Sequence, residues 1–210
     1  MYGVVAESGM QGASITEIAE AAGVARGALH YFFASKDEIT SSLMRRLGER
    51  YLQQLGAWLD ARIARSHDPA VKARLVADCA RWHFKGDADD ALRRMTVWID
   101  FWGQAASGSD IREVVVEIQE AARRVLQRAL VAQRPELAGV DDEAMRAHAA
   151  ALLALVEGGL MQWRFAAGST KTPLARDAVG DAVAAAAGAF ALTISRPLAT
   201  DRNADRKEAA

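Results

Sequence analysis

No stretch leaves the chain less freedom than SITEIAEAAGVARGALHYFFASK, residues 14–36. Ser14-Ile-Thr-Glu17 spells a capping box, in which the serine oxygen takes a free amide of the first turn and the glutamate reaches back to the serine amide. Ile15, Ile18, Ala19 and Ala22 then recur at helical spacing on one side. Gly23 supplies the exit, because a residue without Cβ enters the left-handed region at no steric cost. The spacing of the second helix turns Val24, Leu29, Phe32 and Phe33 inward and leaves Arg26, Gly27, His30 and Tyr31 outside. Ser35-Lys-Asp-Glu38 reads as a second capping box and opens a third helix. Two short helices joined by a tight turn and followed by a third make a helix-turn-helix unit.

The outer face of the second helix is small in the middle and polar at its edges, which suits contact with the floor of a DNA groove. Gly27 inside a helix costs about 1 kcal/mol relative to alanine. Either a DNA backbone or base approaches closely there, or the glycine is merely tolerated. Lys36 stands at a helix N-terminus, unfavourable to the helix dipole but well placed, beside free amides, for a phosphate.

The run Ile15-Thr-Glu-Ile-Ala19, continued by Ala22-Gly-Val-Ala-Arg-Gly-Ala-Leu-His-Tyr-Phe-Phe-Ala-Ser-Lys-Asp-Glu38, resembles the DNA-binding signature of the TetR family of one-component bacterial repressors. The resemblance covers about the first fifty residues. It implies an all-α homodimer that binds double-stranded operator DNA and leaves it when a small-molecule effector enters a larger C-terminal domain. By the resemblance, Arg26, Gly27, Ala28 and Tyr31 meet the major groove, while Ser14, Thr16, His30 and Lys36 hold phosphates. Ala25 belongs to the same surface but stands where the family often has serine, losing a cap worth about 1 kcal/mol. His30 stands where tyrosine is common. Only Arg26 offers a bidentate contact to guanine, so specificity rests partly on DNA shape and dimer spacing.

Charge gives no separate support for nucleic acid: the net charge is −1. In the first fifty residues Arg26, Lys36, Arg45, Arg46 and Arg50 are outnumbered by Glu7, Glu17, Glu20, Asp37, Glu38 and Glu49. Phosphate neutralisation supplies much of the affinity for DNA, so such a domain depends on well-placed cations and on dimerisation. Family members usually begin with a longer first helix and a basic arm. This form is therefore expected to bind operator more weakly than one extended at its N-terminus, and a salt titration of the two forms compares them. A dimeric helical ligand-binding module with weak or lost DNA binding stays open as the alternative. The single cysteine, Cys79, suits a reducing compartment. No basic segment followed by an apolar run opens the chain, and the apolar stretches near 149–156 and 182–194 are short and alanine-rich for a bilayer. The expected location is cytoplasmic, with no membrane partner.

From Ser35 a helix is expected to run to about Arg65 on the stripe Ile39, Leu43, Leu47, Tyr51, Leu55, Trp58 and Ile63, about 45 Å at the α-helical rise. Such a helix joins a helix-turn-helix domain (1–48) to a ligand-binding and dimerisation domain (49–195), leaving 196–210 as a polar, unpatterned tail. Further helices are expected from Asp68-Pro69 to Phe84, from Asp87 to the loop at 106–109, from Ser109 to Arg134, from Asp141 to Ala166, and from Thr172-Pro173 onward. The last carries Val179, Val183, Ala186, Ala187, Phe190 and Ile194 on one face. The helix after Asp141 is apolar nearly all round between Ala149 and Met161, so it needs cover on more than one side. Either the last two helices pair with their copies in a four-helix bundle, which is the expectation, with Gly158-Gly159 allowing close approach, or both lie within one monomer's core.

Trp82, Trp98, Trp102 and Trp163 stand with Phe84, Phe101 and Phe165 in the second domain. They either fill a core or line a ligand cavity. His83, Asp100 and Glu157 are the polar candidates to orient a ligand, with Trp82, Trp98, Phe101, Trp102 and Trp163 as walls. Glu157, inside an apolar run, is either turned to solvent, bonded to a neighbour such as Arg164 or Gln162, or left for a ligand, because an unpaired buried carboxylate is costly. Among tryptophans it favours a cationic or amine-bearing ligand. The segments 97–102 and 152–159 are similar to the C-terminal domain of the BetI-like branch of the family, which includes choline-responsive repressors. An enzyme is not expected: the four histidines lack metal-ligand spacing, no glycine-rich phosphate loop occurs, and Cys79 with His83 is an ordinary i, i+4 pair. No metal or cofactor is expected.

Overall fold

The computed structural model describes residues 3–5, 9, 12–107 and 111–195, and these form an all-helical molecule. Beyond short helical pieces before Ser14, the elements are α1 (Ile15–Ala22), α2 (Arg26–Phe32), α3 (Lys36–Ile63), α4 (Pro69–Lys72), α5 (Leu75–Trp82), α6 (Ala88–Ala106), α7 (Ile111–Gln133), a 3-10 turn (Pro135–Gly139), α8 (Asp142–Ala166) and α9 (Arg176–Thr193). The caps at Ser14, Ser35, Asp68, Asp87 and Asp141 all accept amides of the following turn. The capping expected from Ser109 and the tail 196–210 lie outside the described residues.

Three expectations change. The helix expected over 68–84 is two, α4 and α5, interrupted at Ala73 and Arg74. The amide of Val76, which a continuous helix would pair with its own fourth-preceding carbonyl, donates instead to the side-chain oxygen of buried Gln133 at 2.9 Å. A helix start is thus capped from 57 residues away. The last helix begins at Arg176 rather than beside Pro173; Ser169 Oγ takes the amide of Thr172 at 3.1 Å, holding the preceding residues in a turn. The Ser35–Glu38 box is incomplete, since the Glu38 carboxylate accepts from the Ala34 amide at 2.6 Å rather than from Ser35.

Two large apolar clusters divide the core. The upper one joins Leu55 and Leu59 of α3 to α5, α7, α8 and α9. The lower one joins Ile18, Ile39 and Met44 to Val97, Phe101 and Ala105 of α6 and Ile111 to Ile118 of α7. The helix-turn-helix unit is therefore packed directly on the ends of α6 and α7. Arg134 closes the far end, donating to the carbonyls of Ala191 at 2.8 Å and Ile194 at 2.7 Å, where a cation meets the negative end of α9.

By length and composition alone α8 is apolar enough to cross a membrane. It packs on α7, α9 and α6. Its outer stripe, Ala147, Ala151, Ala154, Leu155, Gly158, Gln162 and Phe165, stays exposed, and so does the stripe Ala178, Ala182, Ala185, Ala189 and Leu192 of α9. Ala186, expected on the inner face of α9, is also exposed. Of the glycine pair, Gly159 is the one in close contact, within the chain: a Cβ there would lie 2.5 Å from Val183.

Candidate nucleic-acid interface and ligand cavity

The Ser14 hydroxyl accepts from the Glu17 amide at 3.1 Å and the Glu17 carboxylate accepts from the Ser14 amide at 2.8 Å, so the first capping box is complete. These bonds hold the Glu17 carboxyl below the ordinary range. Gly23 turns the chain at φ 68°, and the Val24 amide returns to the Ala19 carbonyl. Ala25 caps nothing with its side chain.

On α2, Arg26, Gly27, His30 and Tyr31 are exposed, Ala28 and Lys36 are half-buried, and Ser14, Thr16 and Ala25 are exposed beside them. Two residues expected inside are not: Phe32 is 70% exposed and Val24 42% exposed. The helix stops at Phe32, and Phe33 takes an extended conformation at φ −134° that swings its own ring, with Leu29, onto the lower cluster. Phe32 is left outside, edge-on to Tyr31 with ring centroids 5.1 Å apart. Periodicity offers both Phe32 and Phe33 for the inward side, three and four residues after Leu29, and the extended Phe33 takes that place.

Above this unit two hollows lie side by side. An outer cleft of about 550 Å³ is lined by Leu47, Arg50, Tyr51, Gln54, Trp82 and His83, and by Lys85, Gly86, Asp90, Arg94, Val97 and Trp98. An inner chamber of about 80 Å³ is walled by Met95, Trp102, Ile118, Leu153, Val156 and Leu160, with Gln119 and Glu157 as polar groups. Tyr51, His83, Arg94 and Trp98 line both. The structure thus brings Trp82, His83, Trp98, Trp102 and Glu157 together. Phe101 and Trp163 line neither hollow: Phe101 is fully buried in the lower cluster, and Trp163 packs against Ala91 and Met95. Asp100 lies on neither wall as well.

His83 is buried, with Nδ1 hydrogen-bonded to the Tyr51 hydroxyl. Burial lowers its pKa to about 4, which makes it a neutral imidazole at pH 7. Burial also pushes the Tyr51 phenol up, so it remains an O–H. Nε2 of His83 and Nε1 of Trp102 have no partner among the described residues. Glu157 is half-buried and bonds Gln119, not Arg164 or Gln162; Arg164 instead donates to Thr96. Desolvation raises its carboxyl above the ordinary range, with Gln119 and Arg123 pulling the other way. Arg94 is ion-paired with Asp90, and the Lys85 ammonium lies 5.6 Å from the centre of the Trp58 ring. Cys79 is buried and its thiol pushed up to about 12, which keeps it protonated and unreactive. Among the described residues no cluster of three metal-ligating side chains occurs.

A helix-turn-helix head carrying an aromatic-lined hollow between longer helices is the architecture of a one-component regulator. Residues 3–43 match the bacterial regulatory proteins of the tetR family, and residues 73–188 match the BetI-type transcriptional repressor C-terminal domain. The chain belongs to the TetR family of transcriptional regulators, which are not enzymes. It is 27% identical over 150 residues to the HTH-type transcriptional regulator BetI of Rhizobium meliloti (strain 1021), covering 71% of this chain and 68% of that protein. Against BetI of Yersinia pestis (strain Pestoides F) it is 32% identical over 108 residues, about half the length of either chain. A TetR regulator from Haloarcula marismortui shares the fold at a TM-score of 0.68 and 16% identity, over 92% of this chain and 93% of that one. A transcriptional regulator from Saccharomonospora viridis, solved in complex with choline, shares it at 0.58 and 19% identity, over 87% and 88% of the two chains.

Proposed function

We propose that this regulator is a cytoplasmic repressor that holds operator DNA as a homodimer and releases it when a small molecule occupies the hollow beside Tyr51, His83 and Trp98. The observation that carries the reading is the exposure of Arg26, Gly27, His30 and Tyr31 on a helix whose opposite side, Leu29 and Phe33, is packed away. Arg26 and Tyr31 then read the major groove, with Ala25, Gly27 and Ala28 allowing close approach. Ser14, Thr16, His30 and Lys36 hold the phosphates. Within the hollow, Trp82, His83, Trp98, Trp102 and Glu157 meet the effector. The carboxylate of Glu157 among aromatic rings suits a cation, which agrees with choline in the Saccharomonospora relative.

The exposed apolar stripes of α8 and α9 are the surfaces that pair in the dimer. Ligand entry acts on α3, whose Leu47, Arg50, Tyr51 and Gln54 line the cleft while its first turn carries Lys36. A tilt of this helix changes the separation of the two reading heads, and half-sites lie about 34 Å apart or a multiple of that.

A gel shift with the DNA flanking the gene tests the reading. Replacing Arg26 and Lys36 together abolishes the shift. Replacing Trp98 or Glu157 leaves the shift intact and alters its response to effector. A folded wild-type dimer that shifts none of this DNA at low salt would leave only the ligand-binding module.

A further inference from the structure

The two adjoining hollows share Tyr51, His83, Arg94 and Trp98 and differ in charge, with exposed Arg50 and Lys85 at one end, the mouth, and half-buried Glu157 at the other, the floor. At the mouth Arg50, Lys85 and Arg94 face a single carboxylate, Asp90. At the floor the one acid is Glu157, which shares the lining with the rings of Trp98 and Trp102 and with Arg94, a residue of both ends. Between the two, His83 lines both hollows, its Nε2 buried and without a partner among the described residues. Arg94 and Asp90 neutralise each other as an ion pair, so Arg50 and Lys85 set the sign of the mouth.

From this arrangement we infer that the effector is a compact zwitterion, with a carboxylate held at the mouth by Arg50 and Lys85 and an ammonium group at the floor facing Glu157 and the two tryptophans. This rests on the reading of the hollow as the effector site.

Each end has its own physical reason. A carboxylate accepts hydrogen bonds from guanidinium and ammonium donors, and the charged pairing makes them strong. At the floor, desolvation raises the Glu157 carboxyl, a cost that an opposite charge at contact removes, and aromatic faces add attraction for a cation. A simple cation leaves the mouth charges unpaired. A simple carboxylate places nothing against Glu157. The inner chamber, at about 80 Å³ against about 550 Å³ for the outer cleft, takes the smaller end of the ligand.

The test is calorimetry on the full chain with ω-amino acids of increasing chain length, each against the alkanoate and the alkylammonium of the same length. At the best length the zwitterion is expected to bind about tenfold or more tighter than either single-charge probe. Glu157→Gln removes the advantage over the alkanoate, and Arg50→Ala, an exposed change that spares the core, removes the advantage over the alkylammonium. Equal affinity for zwitterion and alkanoate overturns the floor, and equal affinity for zwitterion and alkylammonium overturns the mouth. Absence of binding across the series overturns both. Gel shifts without any probe run alongside: DNA binding that persists while the series fails leaves the regulator intact and removes only the ligand class, whereas loss of DNA binding removes the regulator reading itself.

Discussion

Gly27 and His83 show how a single position carries a cost that the fold does not require. A Cβ built on Gly27 meets nothing within 4 Å, so packing gives no reason for glycine in α2. Gly27→Ala is therefore expected to raise stability by about 0.5–1 kcal/mol through helix propensity. If α2 reads the groove as proposed, the variant should weaken operator binding, because the added methyl stands on the exposed face of that helix. Chemical denaturation and a gel shift on the same preparation check both signs, and a variant more stable with unchanged affinity would make the glycine merely tolerated. His83 is neutral in the fold, at about 4, against about 6.5 for an exposed histidine. Between these values the unfolded chain binds the extra proton, so stability is full above pH 6.5 and is lost as pH falls toward 4. At pH 5 the loss from this group is about 2 kcal/mol. Glu157, raised by burial, works in the opposite sense, so the comparison is between wild type and His83→Gln: the variant should show the shallower fall in urea midpoint from pH 7 to pH 5. The outer surface of α2 was legible at this scale because Arg26, Gly27, His30 and Tyr31 follow helical phase. Phe32 was not, since the sequence offers two adjacent phenylalanines for one inward place and Phe33 takes it.

Elements were readable wherever their ends are encoded locally. Ser14, Ser35, Asp68, Asp87 and Asp141 each mark a helix start by their own side chain, and Gly23 and Gly86 mark exits by positive φ. The break between α4 and α5 was invisible because its cap, Gln133, comes from another helix. The same holds for the hollow: Trp98 and Glu157 stand out in the sequence, whereas Arg50, Lys85, Arg94 and Gln119 join them only through the crossing of α3, α5, α6 and α7. One such crossing links the chamber to the reading head. A Cβ on Gly48 of α3 would lie 2.4 Å from Cδ1 and 2.6 Å from Cγ1 of Ile118, a residue of α7 that also walls the inner chamber. Both positions are buried, so neither yields easily. Gly48→Ala is expected to destabilise by about 1–3 kcal/mol through overpacking, outweighing its helix-propensity gain. Ile118→Ala alone costs about 2–5 kcal/mol as a large-to-small core change, and the double variant should lose less than the sum of the two. Gly103→Ala, exposed and with nothing within 4 Å of its Cβ, serves as the control and should be neutral or stabilising. Additive losses in the double variant would mean that the two residues do not touch.

At the scale of the molecule, the outer stripes of α8 and α9 are the feature that one chain leaves unfinished. Along α8 the exposed positions Ala147, Ala151, Ala154, Gly158, Gln162 and Phe165 recur every three or four residues, and Ala178, Ala182, Ala185, Ala189 and Leu192 do the same on α9. Phe165 is 64% and Leu192 70% exposed, large apolar groups at the rims of two alanine-lined bands. Small residues along both bands would let two helix pairs approach closely, which supports the proposed pairing with a second copy about a two-fold axis, each stripe against its like, in a four-helix bundle. A charge in the middle of a band has no partner there and must be desolvated, at a cost that removing one partner of a buried pair puts at several kcal/mol. Ala182→Arg is exposed within one chain and should leave each subunit folded. It is expected to convert a dimer into a monomer in sedimentation, with helical circular dichroism unchanged. The monomer should also lose operator binding while keeping effector binding, since one reading head contributes only part of the phosphate contacts, whereas the hollow is built from residues of a single chain. A variant that stays dimeric would move the interface off these stripes, and a monomer that still shifts operator at wild-type affinity would show that a single head suffices.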